Sequence, residues 1–291
     1  MKLFIIFFLI GSSVLLYGQT VSGTVFELNS EITIEYVNIG IVGKNIGTIS
    51  DQNGRYTLRI PPECYNDMLI FSCIGYHSYS VKVSDFIDLN NGNVNLEKKA
   101  YDLSEVVVSP RRVRERRLGN TANMLSSNFR TPFGLGYEMG ILMENKRISF
   151  VKEINWNIAK FTFDTIVFRV NVYKPQEGLE IENNLRGYVY VENSKFEKFE
   201  NILRSPVYVT CTKDETKDKI TVDLRHLNLV VEGDFLVTFE TVKILGSGEF
   251  RYRCVSTIFI TTHFIRSSRW STWRKEWGPG PSIWALVDVE R

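Results

Sequence analysis

Val21-Ser22-Gly23-Thr24-Val25, Asp51-Gln52-Asn53-Gly54-Arg55-Tyr56 and Ile74-Gly75-Tyr76 punctuate the first third of the chain. Between them apolar and polar residues alternate with a period of two, the spacing of strands with one buried face. Tyr56, Leu58 and Ile60 alternate with Arg55, Thr57 and Arg59, and Val37, Ile39 and Ile41 repeat the pattern. Asn53-Gly54 is the pair that a two-residue type I′ turn requires, because both positions need positive φ. It lies between Ile46-Gly47-Thr48-Ile49 and Tyr56-Thr57-Leu58-Arg59-Ile60, so a hairpin is expected there. Gly75 marks a bulge or sharp bend that lets Tyr76 pack before a strand resumes at Tyr79-Ser80-Val81-Lys82-Val83. With Asn93-Val94-Asn95-Leu96 as its closing strand, a small β-sandwich is expected over residues 19–98.

These three signatures, in that order and spacing, resemble the carboxypeptidase regulatory-like domain. That family is a transthyretin-like (prealbumin-like) β-sandwich found beside secreted peptidases and at the front of TonB-dependent outer-membrane receptors. The resemblance implies a module and not a reaction. Leu103-Ser104-Glu105-Val106-Val107-Val108 is similar to the segment that follows this module in the receptors. The remaining chain is too short for a receptor barrel and has no ladder of amphipathic strands with aromatic girdles, so a transporter is not expected.

Bulk properties narrow the classes. Lys and Arg number 35 against 33 Asp and Glu, and this near balance argues against nucleic acid as a partner. Met1-Lys2 and the apolar run to Leu16, followed by Gly18, read as a secretory signal peptide over residues 1–18. The competing reading is a retained anchor, for which the run is short. No later stretch approaches the roughly 20 consecutive apolar residues of a spanning helix, so a mature chain without a transmembrane span is expected. Cys64, Cys73, Cys211 and Cys254 include no C-x-x-C pair, which implies neither a zinc site nor a dense disulfide scaffold. Cys73 is expected as a buried free thiol, with Cys64–Cys73 and Cys211–Cys254 bridges as the alternative.

Residues 99–125 read as a linker that contains Arg111, Arg112, Arg114, Arg116 and Arg117. Such a run either stays solvated or contacts anionic lipid or glycan head groups. Residues 126–291 read as a second β-sandwich, a jelly roll by the number of short strands. The strands expected are Trp156 to Phe163, Ile166 to Tyr173, Tyr188 to Val191, Val207 to Cys211, Ile220 to Leu224, Leu227 to Val231, Phe235 to Val242 and Phe250 to Phe264. The layout of this half is similar to an uncharacterised region that accompanies the regulatory-like module in some exported bacterial proteins. The fold class is therefore all-β, with two sandwiches.

Catalytic constellations are hard to find. His77, His226 and His263 are followed three residues on by Ser80, Leu229 and Arg266, so neither H-x-x-E nor H-E-x-x-H exists and no metal or cofactor is expected. Gly246-Ser247-Gly248 lacks the flanks of a nucleophile elbow, and Asp51 with Asn53 reads as a turn and not a calcium loop. Glu138, Asp223 and Glu240 are carboxylates that a glycosidase could pair, although spacing in sequence gives no distance between them. Arg169, set among apolar neighbours in Phe168-Arg169-Val170, is expected to pair with Glu240. Trp270, Trp273 and Trp277, with Arg269 and Arg274 beside them, form either a ligand platform or a plug at the end of the sandwich. Burial is expected for Trp284. The leading expectation is a non-enzymatic envelope protein at the periplasm or outer-membrane surface of a Gram-negative bacterium, binding an envelope protein or a glycan. The alternative is an exported hydrolase with a carboxylate site in the second sandwich.

Overall fold

The computed structural model describes residues 18–89, 91–100, 113–123, 125–126, 134–175, 189–190, 199–254, 261–271, 273–278 and 280–290. The signal peptide expected before Gly18 and the Leu103 to Val108 segment lie outside the described residues. The fold is all-β, with two sandwiches that have separate cores.

The smaller body contains β1 (Gln19–Glu27), β2 (Asn38–Ile41), β3 (Ile46–Ile49), β4 (Arg55–Ile60), β5 (Met68–Ser72), β6 (Tyr79–Lys82), a short helix α1 (Val83–Asp88) and β7 (Val94–Leu96). Its sheets run β4-β1-β7 and β3-β2-β5-β6. Strict alternation sends Tyr56, Leu58 and Ile60 inward to meet Val37, Ile39 and Phe71. In β2 the intervening Asn38 and Gly40 are buried as well, because the second body covers that face.

The expected hairpin is not formed: β3 and β4 belong to different sheets, so Asn53-Gly54 sits at a corner between them. Only Gly54 has positive φ, at 72°. Asp51 organises the corner, its Oδ1 accepting from the backbone N–H of Asn53 at 2.8 Å and of Arg55 at 2.9 Å. Gly75, at φ 89°, makes the expected bend. Helix α1 carries no signal in the alternation that preceded it.

The larger body opens with β8 (Val113–Gly119) and β9 (Leu125–Ser126), then β10 (Glu138–Met143), β11 (Ser149–Phe161) and β12 (Thr165–Pro175). β13 (Val189–Tyr190), β14 (Phe199–Asn201), β15 (Val207–Thr212), β16 (Lys219–Asp223) and β17 (Val230–Val231) follow. β18 (Phe235–Leu245), β19 (Phe250–Cys254), β20 (Thr261–Arg266), β21 (Arg274–Gly278) and β22 (Ile283–Glu290) complete it. One sheet runs β13-β21-β20-β10-β18-β12-β14, with β15 also on β12; the other runs β8-β22-β11-β19-β9, with β16 and β17 on β11. The chain crosses between the sheets repeatedly, at β10 to β11 to β12, β15 to β16, β17 to β18 to β19 to β20 and β21 to β22, and β10-β18-β12-β15 opposite β11-β16 is a jelly-roll-like order. Trp156, Phe168, Phe239 and Phe250 fill the space between the sheets, with ring centroids 4.8–6.2 Å apart in several edge-on or tilted pairs.

Three strand assignments change. Part of the stretch expected as linker, Val113–Gly119, is an edge strand paired with β22. Arg225–Leu227 is a 3-10 turn and only Val230–Val231 is extended, while β19 and β20, at the two ends of the Phe250 to Phe264 run, belong to different sheets. All four cysteines are free and buried, and desolvation pushes the Cys73 and Cys254 thiols up to about 11 and Cys211 to about 12.

A Cβ on Gly54 would lie 2.7 Å from the Val25 carbonyl oxygen. Gly54→Val should therefore cost about 2–3 kcal/mol by urea denaturation, while Asn53→Ala should change stability by less than about 0.5 kcal/mol. A type I′ hairpin would make both costly. Thiol titration should find no fast-reacting cysteine in the native protein and four in denaturant.

Candidate functional site

Alternation along the larger sheet gives it two faces. Met139, Val170, Val172, Val237 and Phe239 face the core, which leaves Glu138, Arg169, Asn171, Tyr173, Thr238 and Glu240 on the outer face. That face is covered too. At one end Tyr36 and Ile49 of the small sandwich pack on Val167 and Val242; at the other Trp273, Phe199 and Phe264 close over Leu236 and Tyr173.

Between these apolar covers runs a row of charges, one per strand: Arg266 on β20, Glu138 on β10, Glu240 on β18 and Arg169 on β12, each opposite the next in register. Glu138 and Glu240 are 0% exposed and Arg169 is 1% exposed. The expected Arg169–Glu240 pair is formed, with Nε and Nη2 of Arg169 donating to Oε2 at 2.9 and 2.8 Å. Arg266 Nε donates to Glu138 Oε2 at 2.6 Å. Asn171 Nδ2 bridges the two acids, 2.9 Å from Glu138 Oε1 and 3.2 Å from Glu240 Oε2. Tyr173 donates its hydroxyl proton to Glu138 at 3.0 Å and accepts from Arg266 and Arg269.

Burial alone would raise the Glu240 carboxyl, but Arg169, Arg266 and Arg269 hold it below the ordinary glutamate range. Burial likewise works against the charge on Arg169, and Glu240 overcomes it, so the guanidinium stays protonated.

The row reaches into the small sandwich. Arg169 Nη1 donates 2.7 Å to the carbonyl oxygen of Tyr36, a residue held at φ 51°. Trp270 lies on β2 and β3: a Cβ at Gly40 or Gly47 would stand 2.3 or 2.9 Å from its Cδ1. Gly43 N donates to Trp270 O at 2.9 Å, and Lys243 Nζ to Gln52 Oε1 at 2.7 Å.

The residues expected to bind ligand divide accordingly. Trp273 is 1% exposed with Arg266 stacked 4.2 Å from its ring centroid, so it presents no face to a sugar. Trp270 is taken up at the seam between the sandwiches, Arg269 is bound to Tyr173, and Arg274 lies on β21 beside β20. The side chain of Trp277 and all of Arg111 and Arg112 lie outside the described residues. Arg114, Arg116 and Arg117 are on β8. Asp223 is exposed and pairs with Arg225. Among the described residues no three His, Cys, Asp or Glu side chains come together as metal ligands.

A cleft of about 830 Å³ opens in the second sandwich between Lys174, the 202–204 stretch and the 226–235 stretch. Leu203, Leu229 and Phe235 form part of its wall, and Lys174, His226 and Glu232 stand at its rim. Asn228, at φ 48°, turns the chain from the 3-10 segment into β17 and so shapes one side. The cleft escaped sequence reading because its walls come from three separated stretches, at Lys174, at 202–204 and at 226–235. The charge row had a signal in sequence: Glu138 and Arg266, like Arg169, interrupt apolar strands.

With this geometry in place, residues 21–108 match the family described as CarboxypepD_reg-like domain. A 106-residue stretch of the chain is 33% identical to "TonB-dependent receptor P3" of Formosa agariphila, which covers 36% of this chain and 10% of that protein. The chain thus spans about a tenth of the relative it matches. No helix among the described residues is long and apolar enough to cross a membrane.

Arg169→Met should destabilise by about 3–5 kcal/mol, since it strands a buried carboxylate, and adding Glu240→Leu should restore much of the loss. A double-mutant cycle in urea checks both. Because the Glu240 carboxyl titrates lower in the folded than in the unfolded chain, its contribution is complete above the ordinary glutamate value of about 4.3 and is lost as pH falls below it. Urea midpoints from pH 3 to 7 should therefore drop on the acid side.

Proposed function

We propose that the protein is a non-catalytic module of a Gram-negative cell envelope that holds an extended segment of a partner protein in the cleft of its second sandwich. The observation that carries the non-catalytic part is the closure of Glu138 and Glu240, both fully buried and both held by an arginine. A glycosidase needs its carboxyls on either side of a reachable bond, with room for water. Here neither acid can reach a substrate, and their neutralising partners hold the sheet and the neighbouring sandwich together.

Export and envelope placement are supported by the apolar leader, by the regulatory-like match and by the receptor relative. Apolar walls with charged residues at the rim suit the alternating side chains of an extended peptide. A sugar platform has less support, because Trp273 is sealed and Trp270 sits between the sandwiches.

A photo-crosslinking residue placed at Lys174 or His226 should give a discrete adduct with an envelope polypeptide, and one placed at Thr57 on the small sandwich should not. The purified protein should turn over neither peptide nor glycan panels. Turnover that Glu138→Gln abolished would overturn the non-catalytic reading.

A further inference from the structure

Strand β8 forms one edge of its sheet and carries a surface of different chemistry. Residues opposite one another in an antiparallel pair share a face of the sheet. Arg114 and Arg116 stand opposite Val289 and Val287, both buried in the core, so these arginines lie on the core-side face where the sheet ends. Both are exposed. Glu115 and Arg117 occupy the other face and are already engaged: Lys152 joins Glu115 to Asp288, and Arg117 stacks 4.8 Å from the centroid of Trp284.

No acidic side chain among the described residues pairs with Arg114 or Arg116. Arg147, from the turn between β10 and β11, joins them around a groove of about 390 Å³ that Val289 and Glu290 complete. Among the described residues that line it, three guanidiniums face one carboxylate, an excess of two positive charges, with one nitrogen of Arg147 donating 3.1 Å to the Glu290 backbone carbonyl. Arg114 and Arg116 are two residues apart on a strand, roughly 6.5 Å, within reach of a single small anion.

We propose that this groove binds a phosphate-bearing ligand, a phosphomonoester or pyrophosphate group. Guanidinium forks match phosphate oxygens in pairs, and a dianion balances the excess where a carboxylate would leave half of it. The same charges could instead serve only to keep another strand from pairing with the edge. That role needs no ligand, and the two are separable by titration.

Calorimetric titration of the chain from residue 19 onward with inorganic pyrophosphate should give saturable binding. Arg114→Gln/Arg116→Gln should weaken it about tenfold or more, and Arg147→Gln should weaken it several-fold. Arg117→Gln, on the opposite face, should change it less than about twofold. Melting curves of each variant verify folding. In flotation assays, capture by vesicles of phosphatidic acid in phosphatidylcholine, competed by pyrophosphate, would assign the ligand to a lipid headgroup. Pyrophosphate binding without capture would assign it to a soluble phosphate compound. Absence of both, or an equal loss in Arg117→Gln, would overturn the proposal.

Discussion

The most deeply buried polar contact between the two halves of this molecule is made by one guanidinium. Arg169 lies in the middle of a sheet, fully buried, with two of its nitrogens on Glu240 and the third on a backbone carbonyl of the other sandwich. Left without either partner, a charge at that depth costs several kcal/mol. Seating the small sandwich completes the hydrogen bonding of the charge row, and the same bond adds to the apolar packing of Tyr36 and Ile49 and the Trp270 seat that hold the small sandwich in place. Tyr36 shows how tightly this is constrained. A non-glycine residue at φ 51° bears an intrinsic cost of about 1–2 kcal/mol, offset here by the carbonyl it offers to Arg169 and by its ring packed edge-on against Tyr208 at 5.1 Å.

Much of the fold was legible because half-buried strands announce themselves by alternation. Tyr56, Leu58 and Ile60 were readable from spacing alone, as was the run from Phe235 to Val242. The Asn53-Gly54 corner misled because turn chemistry specifies local geometry, not which sheet the next strand joins. Arg114 to Arg117 misled for a related reason: an edge strand with charges on both faces has the composition of a solvated linker. Trp270 was legible as an aromatic but not as a wedge, since the seat it fills is made of two missing side chains, Gly40 and Gly47, more than two hundred positions earlier.

The candidate sites divide along the same line. Arg169 could be paired with Glu240 from sequence because a charge inside an apolar strand must find a partner. The cleft could not be read, because it collects residues from distant segments that interrupt no periodic pattern; of the arginine groove only the Arg114 and Arg116 side was legible, as part of a basic run, while Arg147 and Glu290 come from distant segments. The two carboxylates that invited a catalytic reading turned out to be the most thoroughly enclosed acids in the larger sheet, which shifts attention from chemistry to the ends and edges of the second sandwich.

The placement of β22 has a kinetic side. This strand lies between β8 and β11 but follows both in sequence by more than 120 residues, so each of them emerges well before their shared partner from any machinery that delivers the chain from its amino terminus. Until then β8 has no neighbour, and one side of β11 stands open along most of its length. The small sandwich needs no such wait, since its strands span fewer than eighty residues and can close early. During delivery the first domain would therefore stand finished, with the seat for Trp270 already built, while the second remains an incomplete sheet until the eight residues of β22 arrive.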